Sequence, residues 1–252
     1  INTHHHFYQT LTRSAPSALN KALFPWLKSL YPIWSKLTPE DIRISTKLSI
    51  AELLLSGCTT TADHHYVFPE GLEDALEIQY EEIVDSGIRA TITRGSMCLG
   101  EEDGGLPPQT VIQSEDEIIH SSESAITRFH DPSPGAMVQV ALAPCSPFSV
   151  TEAMMTGIAD LAKKSGVRTH THLAETKDET VFCQETFGLS PLDYLERVNW
   201  LNDRTWLAHG IYFSDEEIDR LGKSKVGIAH CPTSNMILGS GICPVSKLLE
   251  AG

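Results

Sequence analysis

The 252-residue chain has no CxxC pair among its cysteines, no GxGxxG after any β-type run, and no internal repeat or low-complexity segment. It also has no stretch near the roughly 18 apolar residues that a membrane-spanning helix requires. The first absence argues against a zinc ribbon or a disulfide framework. Cys58, Cys98, Cys145, Cys183, Cys231 and Cys243 read instead as free thiols of a reduced, cytoplasmic compartment. The second argues against a dinucleotide-binding open sheet. Basic residues are scarce, 19 Lys+Arg against 33 Asp+Glu, and the net charge of −14 points away from nucleic acid and anionic membrane surfaces as partners. No signal peptide is visible and no initiator Met precedes INTHHHFYQ, so the expectation is a chain that begins inside a strand.

What is present is a length sufficient for one barrel-sized core, and a repeated alternation of β-type run and helical pattern. FPWLKSLYPIW (24–34) is too punctuated by proline to predict one helix. Thr38-Pro39-Glu40 predicts a capped helix start and Gly57 its end. Strands are predicted at 58–65, 88–95, 137–144, 167–175, 204–210 and 226–232. Helices are predicted at 71–87, near 115–130, at 151–166, in turns through 178–198, and at 214–225. Polar residues gather at the strand ends: Asp63 and His64, Arg94, His170 and His172, His209, His230. In a (β/α)8 barrel those ends share the face that carries the active site, so the predicted fold is an α/β barrel spanning residues 1–252.

Eleven histidines are the unusual feature. In an extended run, period two puts His4 and His6 on one face and His5 on the other. Two imidazoles side by side suit a divalent transition metal, although a tag remnant or a solvated run has the same composition. THTHLAE (169–175) repeats the spacing with His170 and His172 and adds Glu175. A histidine ligand beside a carboxylate that leaves the metal free is how hydrolases pair an activated water with a proton carrier. LAHG (207–210) and IAHCPTSN (228–235) each end a strand with one histidine. Singly these read as structural histidines; together they ask for a shared pocket, because buried neutral imidazoles need partners.

NTHHHFYQ, THLAE, LAHG and HCPTSNMILGSG, in that order, resemble the amidohydrolase superfamily in its cytosine/guanine deaminase and triazine hydrolase branch. The resemblance covers essentially the whole chain. It implies a metal-dependent hydrolase barrel with His4, His6 and His172 as ligands to one zinc or iron. Glu175 is implied as proton shuttle and His209 as a contact to substrate or attacking water. The branch's fourth ligand, an Asp after the eighth strand, has no counterpart in this chain. The resemblance therefore implies an incomplete barrel, with strand eight and a flanking β-sandwich outside residues 1–252. His230 matches a residue expected to shape the pocket.

Gln9 stands where guanine deaminases carry a purine-binding amide, which can donate and accept at a lactam edge. Segments FPWLKSLYPIW, TRGSMCLGEEDGGLPP and LAPCSPFSV are similar to the group of 8-oxoguanine deaminases. That similarity implies hydrolysis of an oxidised purine, 8-oxoguanine to urate and ammonia, with hydroxytriazine aminohydrolase or guanine deaminase as alternatives. Trp26, Arg94 and Cys145 become expected pocket residues, Cys145 without a base that would make it a nucleophile. A possible homodimer follows from the branch. The rival of another class is a non-catalytic metal- or ligand-binding barrel.

Overall fold

The computed structural model describes residues 1–252. Seven parallel strands pair in strict chain order: β1 Asn2–His5, β2 Thr60–His65, β3 Arg89–Ser96, β4 Val138–Pro144, β5 Arg168–Leu173, β6 Thr205–His209 and β7 Gly227–Ala229. Ten helices accompany them: α1 Leu23–Trp34, α2 Pro39–Leu55, α3 Ala75–Ser86, α4 Glu115–Phe129, α5 Glu152–Ser165, α6 Lys177–Phe187, α7 Pro191–Arg197, α8 Asp215–Ser224, α9 Pro232–Leu238 and α10 Val245–Ala251. Parallel neighbours cannot be joined by tight hairpins, so helical crossovers return the chain between strands and wrap them into a nearly closed barrel.

Local chemistry sets the helix starts. Thr38, Ser114 and Ser214 each accept the backbone N–H three residues on, and Asp41, Glu117 and Glu217 return the bond to the cap's own N–H. The strands read as buried runs because helices on one side and the barrel interior on the other leave little of them wet.

One expected element is corrected. Residues 24–34 lie within a single helix, α1, despite Pro25 and Pro32. Pro25 sits in the first turn, where a backbone N–H has no intrahelical partner to lose. Pro32 lies in the last turn, and the buried face of Leu23, Leu27, Leu30, Tyr31 and Trp34 outweighs its missing bond.

β2 and β3 approach closely at Gly95. A Cβ there would overlap the His65 carbonyl oxygen and stand 2.6 Å from Tyr66 Cβ. That close approach packs β3 directly against the end of β2, the strand that bears His64.

Candidate metal centre

β1 delivers the first two histidines. Asn2 Oδ1 takes the His4 N–H at 3.0 Å, and the register against β2 shifts between Asn2 and His5, as a bulge does. The His4 and His6 rings stand 4.6 Å apart, edge to face, while His5 packs against Phe7. Burial pushes His5 down to about 4. Buried Asp63 pins the turn that follows, accepting the Phe7 N–H and the Gln79 amide, each at 2.6 Å.

Hydrogen-bond partners settle which ring nitrogen carries the proton. His6 Nδ1 lies 2.7 Å from the His64 carbonyl oxygen, and His172 Nδ1 lies 2.6 Å from that of Cys145. A carbonyl only accepts, so both rings are protonated at Nδ1 and present lone pairs at Nε2. Those two Nε2 atoms face each other at 3.1 Å. His64 donates from Nε2 to the Ala143 carbonyl at 2.9 Å, which leaves a buried, unpartnered lone pair on Nδ1. His4, His6, His64 and His172 offer ligand atoms that all lie within 4.8 Å of one another. Burial, reinforced by the neighbouring rings, holds all four well below the ordinary histidine pKa. A proton shared between His6 and His172 is therefore opposed, whereas a divalent cation satisfies the confronted lone pairs. Neutral imidazole donors of this kind fit zinc or iron.

Beside the cluster lies an acid–base pair. Glu175 follows β5, where Ala174 takes a left-handed φ of 53°. Its Oε2 is 3.5 Å from His209 Nε2. Burial raises Glu175 to about 8 and lowers His209 to about 4, so at neutral pH the contact joins a carboxylic acid to a neutral imidazole. Asn235 Oδ1, at 2.8 Å, accepts from His209 Nδ1 and leaves Nε2 as the acceptor. His209 itself has φ 76°, a conformation a non-glycine residue holds only where its surroundings fix it. Glu179 on α6 accepts the N–H groups of both Ala174 and Glu175 at 2.9 Å and so clamps the bend carrying the acid.

A cavity of about 1000 Å³ brings together His4, His6, His172, Glu175, His209, Gln9, Trp26, Cys145 and His230. The Gln9 amide donates to the phenol oxygens of Tyr8 (3.3 Å) and Tyr66 (3.2 Å). Trp26 is half-buried and His230 exposed at the rim. Burial pushes the Cys145 thiol up to about 12, so it holds its proton and is no nucleophile. Arg94 is the expected pocket residue that the structure places elsewhere. It is buried under Phe68 and donates to Ser121 Oγ, Gln113 Oε1 and the Gly95 carbonyl, tying β3 to α4.

His64, Asn235 and Glu179 carried no assigned role from sequence. His64 was visible as a strand-end residue, but only the fold shows that its ring joins the cluster. Asn235 lies within HCPTSN, and Glu179 stands three residues after Thr176, the T-x-x-E pattern that places a carboxylate at a helix start.

A sequence model of the amidohydrolase family matches residues 1–252. The chain is 59% identical over 252 residues to an 8-oxoguanine deaminase of Pseudomonas aeruginosa, and covers 100% of itself and 56% of that protein. It is 34% identical over 255 residues to a hydroxydechloroatrazine ethylaminohydrolase of Pseudomonas sp., covering 100% of itself and 53% of that protein. The chain thus spans about half the length of these relatives. Its backbone superimposes with a TM-score of 0.95 on atrazine chlorohydrolase TrzN from Arthrobacter aurescens TC1 complexed with zinc, at 31% identity, covering 100% of this chain and 57% of that one.

Proposed function

The chain belongs to the amidohydrolase family, and on that premise we propose that it is the barrel of a metal-dependent deaminase of an oxidised purine, converting 8-oxoguanine and water to urate and ammonia. The observation that carries this proposal is the meeting of confronted histidine lone pairs and a protonated Glu175 on one cavity. His4, His6 and His172 would hold one divalent metal, zinc or iron, with an Asp from an eighth strand outside residues 1–252 as fourth ligand and base. That strand and a small flanking β-sandwich complete the barrel domain in this proposal. When bound, such a metal supplies Lewis acidity that makes water a nucleophile near neutral pH.

The chain's own residues do the rest. The Gln9 amide faces the lactam edge of the purine and orients it, held in place by Tyr8 and Tyr66. His209, with its lone pair at Nε2, accepts a hydrogen from the attacking water and fixes its direction. Water adds to the amino-bearing carbon while Glu175 gives its proton to the adjacent ring nitrogen. The proton given up by the water passes to the departing amine, the new hydroxyl returns its own proton to Glu175 as it becomes the carbonyl, and breaking the C–N bond releases ammonia. Burial suits Glu175 to this task, because an acid at about 8 still carries the proton it must deliver. The rim, formed by Trp26 and His230, adapts the same chemistry to purine or triazine rings. Cytoplasmic residence, supported by six free thiols, and a homodimer belong to the same proposal.

The test is ammonia release by the full-length, zinc-loaded protein over 8-oxoguanine, guanine, isoxanthopterin and hydroxytriazines. The expected ranking in kcat/KM puts 8-oxoguanine first. Turnover of triazines alone overturns the purine assignment, and metal uptake without turnover of any ring substrate makes the chain a binding barrel.

A further inference from the structure

We propose that His170 is a positioning residue that fixes the protonation of His4 through a relay rooted in the Trp206 backbone carbonyl. This rests on the reading of His4 as a metal ligand. His170 lies on β5, two residues before His172, but makes no contact of the kind that a metal ligand makes. Its Nδ1 stands 2.8 Å from the Trp206 carbonyl oxygen and its Nε2 stands 2.7 Å from His4 Nδ1. The carbonyl can only accept, so His170 carries its hydrogen on Nδ1. A neutral ring so protonated has its lone pair on Nε2. The short contact to His4 then requires the hydrogen on His4 Nδ1, which leaves His4 Nε2 as the donor atom for a cation. Two hydrogen bonds in series set one tautomer on β1 from a carbonyl on β6.

His6 and His172 reach backbone carbonyls directly, at 2.7 and 2.6 Å. For His4, the imidazole of His170 stands between it and the carbonyl it depends on. Trp206 holds the bridge in both directions. Its indole stacks on the His170 ring at 4.3 Å and 14°, and its Nε1–H donates to the Thr3 carbonyl at 3.0 Å, one residue before His4. The same residue thus restrains the bridging ring and the strand that carries the ligand. Orienting partners of this type are worth about 10–100-fold in metal affinity.

Two substitutions separate a relay from simple packing. His170→Phe keeps a flat ring against Trp206 and removes the acceptor for His4. His170→Gln loses the ring and keeps an oxygen where Nε2 stood. Zinc affinity of the full-length protein is read by competition with a chromophoric chelator, with circular dichroism to confirm folding. The relay predicts that His170→Phe binds zinc about 10–100-fold more weakly, while His170→Gln retains most of the affinity. Packing alone predicts the reverse order, and that order overturns the proposal. Independently, long-range 15N–1H correlation on the metal-free wild-type protein reads the His4 tautomer. Hydrogen on Nδ1 supports the relay; hydrogen on Nε2 overturns it, even if neither variant folds. A wild-type protein that takes up no zinc refutes the metal reading instead, and the tautomer measurement still decides the relay.

Discussion

Replacing Asp63 separates the cost of losing a buried acceptor from the cost of losing a charge. The carboxylate is fully buried and accepts from two donors, the Phe7 N–H and the Gln79 amide, each at 2.6 Å. Asp63→Ala leaves both donors without partners in a site water does not reach. At about 1–3 kcal/mol for each stranded donor, the loss is roughly 2–6 kcal/mol, a large share of the roughly 5–15 kcal/mol that folds a typical domain. Asp63→Asn behaves differently. Its oxygen still serves Phe7, and although its NH2 group meets the Gln79 NH2, Gln79 Oε1 has no partner of its own. Turning the Gln79 amide over restores the bond but leaves its NH2 group where Oε1 had no partner, so the expected cost is that of one stranded donor, about 1–3 kcal/mol, below that of Asp63→Ala. The charge matters little because burial has already raised Asp63 to about 7. Urea midpoints at constant m-value measure both variants, and a cycle with Gln79→Ala isolates the pair. Equal destabilisation by Asn and Ala would refute the reasoning, as would coupling to Gln79 indistinguishable from zero.

Glu175→Gln should lower turnover by about 10²–10⁴-fold while zinc content is unchanged; preserved activity would remove Glu175 from proton transfer. Glu179→Ala frees two N–H groups at the Glu175 bend and should lower kcat with zinc affinity intact, whereas a parallel loss of zinc would mean a wider collapse. Gly95→Ala pushes a methyl into the backbone of β2 and should cost about 1–3 kcal/mol; a neutral urea midpoint would show that the strands part freely. For the metal-free protein, stability should peak near pH 6.5. Below it, histidines held down (His65 and His170 to about 3, His209 to about 4) stay neutral when folded but take protons when unfolded, so stability is lost as pH falls. Asp63 at about 7 and Glu175 and Glu179 at about 8 act oppositely: their contribution is full below about 4 and is lost as pH rises through 7–8. Between about 4 and 6.5 the buried histidines outnumber these carboxyls, which sets the net sign there. Urea midpoints that rise steadily from pH 5 to 9 would contradict this balance.

Much of the barrel was legible because its signals are local. Caps such as Thr38 and Ser214 mark helix starts within three residues, and strand-end histidines mark one face through periodicity alone. The proline-broken segment at 24–34 misled for the opposite reason. Its helix is held by burial of Leu27, Leu30, Tyr31 and Trp34 against distant residues, which no local pattern reports. The metal centre divides in the same way. Spacing marks His4, His6 and His172 as candidates and the family resemblance proposes them as ligands, whereas the roles proposed for His64 and His170 depend on ring nitrogens facing partners 79 residues away for His64 and 166 and 36 away for His170. Arg94 looked like a pocket residue because it ends a strand. Its long side chain instead turns outward, to a polar pocket under α4 that only packing reveals.

The strict chain order of the strands has a mechanical side. β1 pairs with β2, and the His6–His172 contact spans 166 residues of sequence. A cation gripped by β1 and β5 would act as a clasp drawn through the middle of the barrel. Because the unfolded chain does not preform the site, the cation's binding free energy adds to that of folding, by about 1.4 kcal/mol for each tenfold by which its free concentration exceeds the dissociation constant. Stripping the metal would therefore slacken the first strand as well as silence the chemistry, and heat resistance should follow zinc occupancy as closely as activity does.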